Sequence, residues 1–288
     1  MTATSTEMRP PVWRFRSPSA LPGFGLTLSY TLFYLGLIVL FPLATLVWRS
    51  SSLGISGLYH VATEPRVAAA LRTTFLISFS AALIDLVFGL VVAWALIRYK
   101  FPFRRLLDAF IDLPFALPTA VAGISLAALY SPNGWFGEAL ANLGVKVAFT
   151  RWGILVALIF VGLPFIVRTV QPIISELEIE LEEASATLGA NRGQTILRVL
   201  LPPLIPPLLT GFALAFGRAI GEYGSVIFIS GNIAYVSEIA PLLIVVKLEQ
   251  YDYAGASAVA TIMLAISFCA LLAINLIQAW SRRGFGHV

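Results

Sequence analysis

Arg218 and Glu222 stand four residues apart inside one long apolar run, and Asp85 stands alone inside another. A spacing of four stacks two side chains on one helix face, so the first two are expected to pair with each other. Charges at such depth are costly unless they are paired or wet, which makes all three candidates for lining or gating a path through a membrane. In that role Arg218 offers a transient attraction to a divalent anion, and Glu222 keeps the anion from binding too well. An ion pair that only fixes helix packing meets the same spacing. Asp85 is a poor anion ligand and reads as a structural or gating group, with Arg218 as its expected partner. Pro114 and Pro118, with Pro164, Gly221 and Gly224, kink or loosen the helices around them, and broken backbone bordering a cavity offers amides that bind an oxyanion without a lysine.

A second group of charges suits docking rather than catalysis. The segment from Ser175 to Pro202 carries Glu176, Glu178, Glu180, Glu182 and Glu183 between apolar runs. Ser175 with Glu178 has the form of a capping box, which predicts a helix starting there. Acids in its early turns suit the positive end of the macrodipole. Leu177, Leu181, Ala184 and Leu188 form one apolar stripe, and Gly189 can take the left-handed conformation that closes a helix. Asn191 with Gln194 predicts a second cap and a second short helix through Leu200, stopped by Pro202 and Pro203. Helices so short are marginal alone, so this pair must pack on something.

Other chemistries lack their residues. No Gly-Lys-Ser/Thr phosphate loop occurs, so ATP hydrolysis is not expected of this chain. His60 and His287 lie far apart without metal-ligand spacing, and neither belongs to a nucleophile constellation, so no catalytic residue, bound cofactor or metal is assigned. Cys269 is the single cysteine and forms no internal disulfide. No basic stripe with interleaved aromatics supports nucleic-acid binding.

The elements that must position these residues are membrane helices. With 58% hydrophobic and 12% charged residues and a mean hydropathy of +0.88, the chain belongs in a bilayer, among lipid. Six stretches reach the ~20 apolar residues that a spanning helix needs: 26–48, 72–97, 110–130, 152–169, 204–230 and 254–280. The run Ile239–Leu248 is about half that length and reads as a re-entrant or interfacial helix. The first span is expected to be retained rather than cleaved as a signal peptide. Residues 1–25 read as a loose or interfacial tail, 26–280 as the spanning domain with 175–202 as its docking segment, and 281–288 as a second tail. Basic residues favour one side: Arg9, Arg14, Arg16, Arg98, Lys100, Arg104, Arg105, Arg168, Arg192, Arg198, Arg282 and Arg283 stand against Arg49, Arg66, Arg72, Lys146, Arg151 and Lys247. That excess predicts that both termini and the glutamate-rich segment are cytoplasmic.

Glu183-Ala184-Ser185, three residues, Gly189, nine residues, then Val199-Leu200-Leu201-Pro202 resembles the EAA signature of ATP-binding-cassette importer permeases, with Ser185 where that pattern has Ala. Within them, DLPFALPTAVAG (Asp112 to Gly123), FGRAIGEYGSVIFISGN (Phe216 to Asn232) and KLEQYDYAGASAVA (Lys247 to Ala260) resemble the sulfate/thiosulfate permeases of the T type. The resemblance implies an all-α integral membrane protein with six transmembrane helices and a cytoplasmic coupling helix, in a bacterial inner membrane. It implies that Glu182, Glu183, Ala184 and Gly189 contact a cytoplasmic ATPase. It further implies a second permease subunit of a related W type, two ATPase copies that use ATP and Mg, and an extracytoplasmic sulfate-binding protein. Import of sulfate or thiosulfate by alternating access is the expected activity. Molybdate, tungstate or another oxyanion is the nearer alternative. A secondary carrier, or a membrane scaffold without transport, is the more distant one.

Overall fold

The computed structural model describes residues 24–285, and every regular element within them is helical. The helices are α1 (Phe24–Ser51), α2 (Gly54–Thr63), α3 (Pro65–Arg98), α4 (Arg104–Ile111), α5 (Leu113–Ala116), α6 (Thr119–Tyr130), α7 (Trp135–Asn142), α8 (Arg151–Glu176) and α9 (Ile179–Thr187). Then follow α10 (Arg192–Ile220), α11 (Val226–Ile229), α12 (Ala240–Glu249) and α13 (Tyr253–Phe285). Five of them, α1, α3, α8, α10 and α13, are long and apolar enough to cross a membrane. Residues before 24 and after 285 lie outside the described part, and with them nearly all of the expected first tail and the last three residues of the second. Residues 281–285 continue α13.

The chain divides into one unit up to Thr45 and another from Leu46 onward. The first holds most of α1, which widens into a π turn at Gly36–Leu40. All that follows concerns the second unit. Its centre is the trio α3, α8 and α10. Ala82, Ala93 and Leu96 meet Ile166, Val167, Val170 and Ile174, and these meet Leu204, Leu208, Phe212, Ala215 and Phe216. Lipid is as apolar as leucine, so such contacts hold helices together by close packing rather than by transfer from water. Small residues let the backbones approach, and each atom pair in contact then adds roughly 0.1–0.2 kcal/mol. A second cluster joins Ala81, Ile154, Leu158 and Ala219 to Val226 and Ile229 of α11. A third sets Ala240 and Leu243 of α12 against Val67, Leu71 and Val259, so the half-length helix expected at Ile239–Leu248 exists and is held by α3 and α13.

Several sequence expectations are corrected. The third span is not one helix: the chain breaks after Ile111 and again at Leu117 and Pro118, leaving α4, α5 and α6. Pro114 lies in the first turn of α5, and Pro118 immediately precedes α6, where a missing N–H costs nothing. The fifth span ends at Ile220 rather than at residue 230, and α11 follows a short break. Nor does the chain stop at Pro202 and Pro203. The turn Ile196–Leu200 is π-helical, with the Leu201 N–H donating to the Ile196 carbonyl. That wider turn relieves the clash of each proline with the carbonyl four residues back, so the helix runs on from Arg192 to Ile220.

Candidate functional site

The docking segment is built differently from its local signals at the start and as expected at the end. Ser175 does not cap a helix. It lies in the last turn of α8, and its hydroxyl donates to the Pro172 carbonyl at 2.6 Å. Fully buried Ile174 belongs to the central core, so packing carries α8 past the residues whose local pattern suggested a new start. Helix α9 begins at Ile179, with Glu178 as an N-cap residue that makes no side-chain cap bond. The second cap is present as expected. Asn191 Oδ1 accepts from the Gln194 N–H and Gln194 Oε1 accepts from the Asn191 N–H, both at 2.9 Å. Gly189 closes α9 at φ +83°, a conformation that costs other residues about 1–2 kcal/mol.

Two contacts hold this segment against α3, and a third ties its two helices together. Arg98, the last residue of α3, pairs with Glu182 at 3.2 Å and donates to the Leu177 carbonyl at 3.0 Å. Its guanidinium also lies over the Trp94 ring, 5.3 Å from the centroid. Ser185 is buried, and its hydroxyl bonds the Thr195 hydroxyl at 2.8 Å, tying α9 to the start of α10. The serine at the third signature position therefore has a use of its own. Glu182 is thus turned toward the protein, whereas Glu183, Ala184 and Gly189 are exposed. So are Ile179, Leu181 and Leu188, the last 87% accessible. Most of the apolar stripe stays uncovered by the rest of the chain, and Leu177 alone packs onto the core. The result is a fastened helix that presents an acidic and apolar face outward.

Arg218 and Glu222 pair as expected, although Glu222 lies just beyond the end of α10. Glu222 is 2% exposed, and its Oε1 accepts from both the Ser225 N–H and the Ser225 hydroxyl at 2.8 Å. That carboxylate occupies the Ser225 amide, so the break at Gly221 and Gly224 leaves this amide unavailable to an anion. Asp85 does not meet Arg218. It is buried among helices without a hydrogen bond, facing Gly162 of α8 at a point also bordered by Ala215 of α10. Arg218 is committed to Glu222 one turn on, and no ion pair among the described residues reaches Asp85. Pro114 borders an apolar cavity of about 590 Å³ with Phe110, Phe160, Leu163 and Pro164, a wall that offers an anion little. No hydrogen bond or ion pair among the described residues joins Asp85, the Arg218–Glu222 pair and the Pro114–Pro118 break.

Residues 85–286 match the model of the family described as the binding-protein-dependent transport system inner membrane component. The chain belongs to this family. Both the docking segment and the intramembrane charges fall within the matched region, so this binding-protein-dependent permease carries them on its family core. The sulfate transport system permease protein CysT of Synechococcus elongatus is 51% identical over 88% of this chain and 91% of its own length. The protein of the same name from Escherichia coli is 50% identical over 94% of this chain and 98% of its own. Among solved structures, a chain of a bacterial alginate ABC transporter, in complex with an alginate pentasaccharide-bound periplasmic protein, superposes with a TM-score of 0.74. It does so at 19% identity over 90% of this chain and 93% of that one. A chain of the inward-facing MetNI methionine ABC transporter gives a TM-score of 0.56 at 16% identity over 75% and 95%. At such identities these two speak for the fold alone.

Two functional-looking arginines of this permease escaped sequence reasoning, which counted both only as markers of sidedness. Arg98 is the fastener described above. Arg168 of α8 holds the broken third stretch: it pairs with Asp108 at 2.7 Å and with Asp112 through two bonds at 2.8 and 2.6 Å. It also donates to Gln171 Oε1 at 2.6 Å. Asp108 and Asp112 are four residues apart, a spacing that brings two carboxylates toward one cation, and this was the available signal.

Proposed function

We propose that this permease carries sulfate or thiosulfate inward across a bacterial inner membrane, driven by a separate cytoplasmic ATPase that docks on α9. The observation that carries the coupling is a helix too short to stand alone, fastened to α3 by Arg98 and to α10 by Ser185 and Thr195, with Glu183, Ala184, Leu188 and Gly189 left facing outward. A push on such a helix reaches α3, α8 and α10 together, because these three form one packed core. The names of relatives that match at about half identity along most of the chain support the anion assignment.

In this reading a second, related permease of the W type completes the pore. Two ATPase copies use ATP and Mg, and an extracytoplasmic sulfate-binding protein delivers the anion. The broken stretch α4–α6 is counted as the third of six crossings, and both termini face the cytoplasm, as the excess of basic residues on that side favours. Transport is a two-state equilibrium: ATP and the loaded binding protein favour one arrangement of the helices, and hydrolysis returns the other. Glu182, Glu183, Ala184 and Gly189 transmit the change. Glu182 does so through Arg98 and the others through direct contact.

The test is labelled-sulfate uptake into proteoliposomes that hold the complete complex, with ATP inside and binding protein outside. Glu183→Ala and Gly189→Pro are expected to assemble and to lose roughly 5- to 150-fold in uptake, the span of ordinary coupling energies. Uptake indifferent to ATP or to these changes would return the case to a gradient-driven carrier. Uptake of molybdate in place of sulfate would correct the substrate alone.

A further inference from the structure

A cavity of about 280 Å³ opens beside Arg72, Thr73, Leu76 and Ile77 of α3, with Arg151 of α8 and Tyr235 on its far side. It lies at the opposite end of the bundle from α9. Arg72 and Arg98 are separated by ~39 Å of helix at 1.5 Å per residue, and Arg98 is the residue that touches α9. Arg151 opens α8, whose other end adjoins α9.

The charge balance of this cavity sets it apart from its surroundings. Nearby cations are already occupied: Arg66 holds Glu238 at 2.7 Å, Lys247 holds Asp252 at 3.3 Å and Glu64 at 3.7 Å, and Arg49 lies over the Tyr253 ring. Arg72 is exposed and has no hydrogen bond or ion pair among the described residues. Arg151 donates only to backbone oxygens, those of Val236 and Tyr235. No acid lines the space. The loop across it is fixed: Tyr235 sits at φ +65°, a costly conformation for a bulky residue, which Arg151 secures from the side. Two guanidinium charges therefore share one recess without a counter-charge among the described residues.

We propose that this recess is a transient binding site for a divalent tetrahedral oxyanion, placed where the anion enters the permease. Arg72 is the principal ligand, Arg151 the second positive charge, and the Thr73 hydroxyl an additional donor. Guanidinium groups offer paired N–H donors matched to an oxyanion. The volume is that of roughly nine water molecules at ~30 Å³ each, so the anion keeps part of its hydration. Its openness makes binding weak, which a transport path requires, since the ion must leave as readily as it enters. The proposal rests on the anion-import reading given above.

The probe is radiolabelled inorganic sulfate, added without binding protein to the complete complex in lipid nanodiscs, for the wild type, Arg72→Gln and Arg72→Lys. In parallel, uptake and binding-protein-stimulated ATP hydrolysis are measured in proteoliposomes. Arg72→Gln should bind sulfate about tenfold more weakly, the effect of one charge-assisted contact. Its uptake should fall several-fold while stimulated hydrolysis stays at the wild-type rate, and Arg72→Lys should recover part of both losses. Three results would overturn the site: no saturable binding of sulfate or molybdate to the wild type, equal binding by Arg72→Gln, or a joint loss of uptake and stimulation, which would make Arg72 a contact for the binding protein. A wild type that binds and imports molybdate instead, still through Arg72, would keep the site and refute the sulfate assignment.

Discussion

Asp85 faces Gly162 in the bundle centre. A carboxyl buried without a partner is expensive in any apolar medium, and here it is accommodated because the facing residue of α8 has no side chain. A Cβ at position 162 would collide with Asp85 Oδ2. Gly162→Ala is therefore expected to destabilise the protein by about 1–3 kcal/mol, the usual cost of overpacking. In an Asp85→Ala background the same change should cost little, because the colliding oxygen is gone. Thermal unfolding of the two single variants and the double variant in one detergent measures this. Strict additivity would show that the two residues do not meet in the way described.

At the scale of elements, the broken stretch α4–α6 is tied by ion pairs, where α3 and α8 run as continuous helices. Breaks at Ile111 and Leu117 leave backbone groups without helical partners, and the pieces are too short to be stable by themselves. Arg168 ties them to α8 through Asp108 and Asp112. These side chains are a third to a half exposed, so water screens the pairs and their worth is well below that of a buried network. Arg168→Gln is expected to lower the melting temperature by about 5 °C, corresponding to roughly 1–2 kcal/mol. Protease nicking between residues 104 and 118 should rise with it. An unchanged cleavage pattern in that stretch would mean that packing on α8 alone holds it.

For the whole molecule, the proposed coupling link runs from the outward face of α9 through Arg98 into the packed trio α3, α8 and α10. Cutting that link should separate hydrolysis from transport rather than abolish either. Arg98→Gln is expected to leave binding-protein-stimulated ATPase activity near the wild-type rate while sulfate imported per ATP falls about tenfold, within the range of a single coupling energy. Simultaneous measurement of both rates in one vesicle preparation checks this, and an unchanged ratio would remove Arg98 from the link. What the amino-acid sequence determined alone was whatever depends on composition and near neighbours. That covers residence in a membrane, an all-helical build, the Asn191 cap, the turn at Gly189 and the Arg218–Glu222 pair, because apolar run length, cap chemistry and i, i+4 spacing act within a few residues. Tertiary structure decided what hinges on residues far apart in the chain. Ser175 lost a cap worth about 1 kcal/mol to the buried continuation of α8, and a π turn carried α10 past two prolines. Asp85 found Gly162 instead of Arg218, and Arg72 met Arg151 across a recess that no local pattern encodes. Each of these outcomes was set by which helices pack together and how closely, a balance of many small contacts that no short stretch of sequence contains.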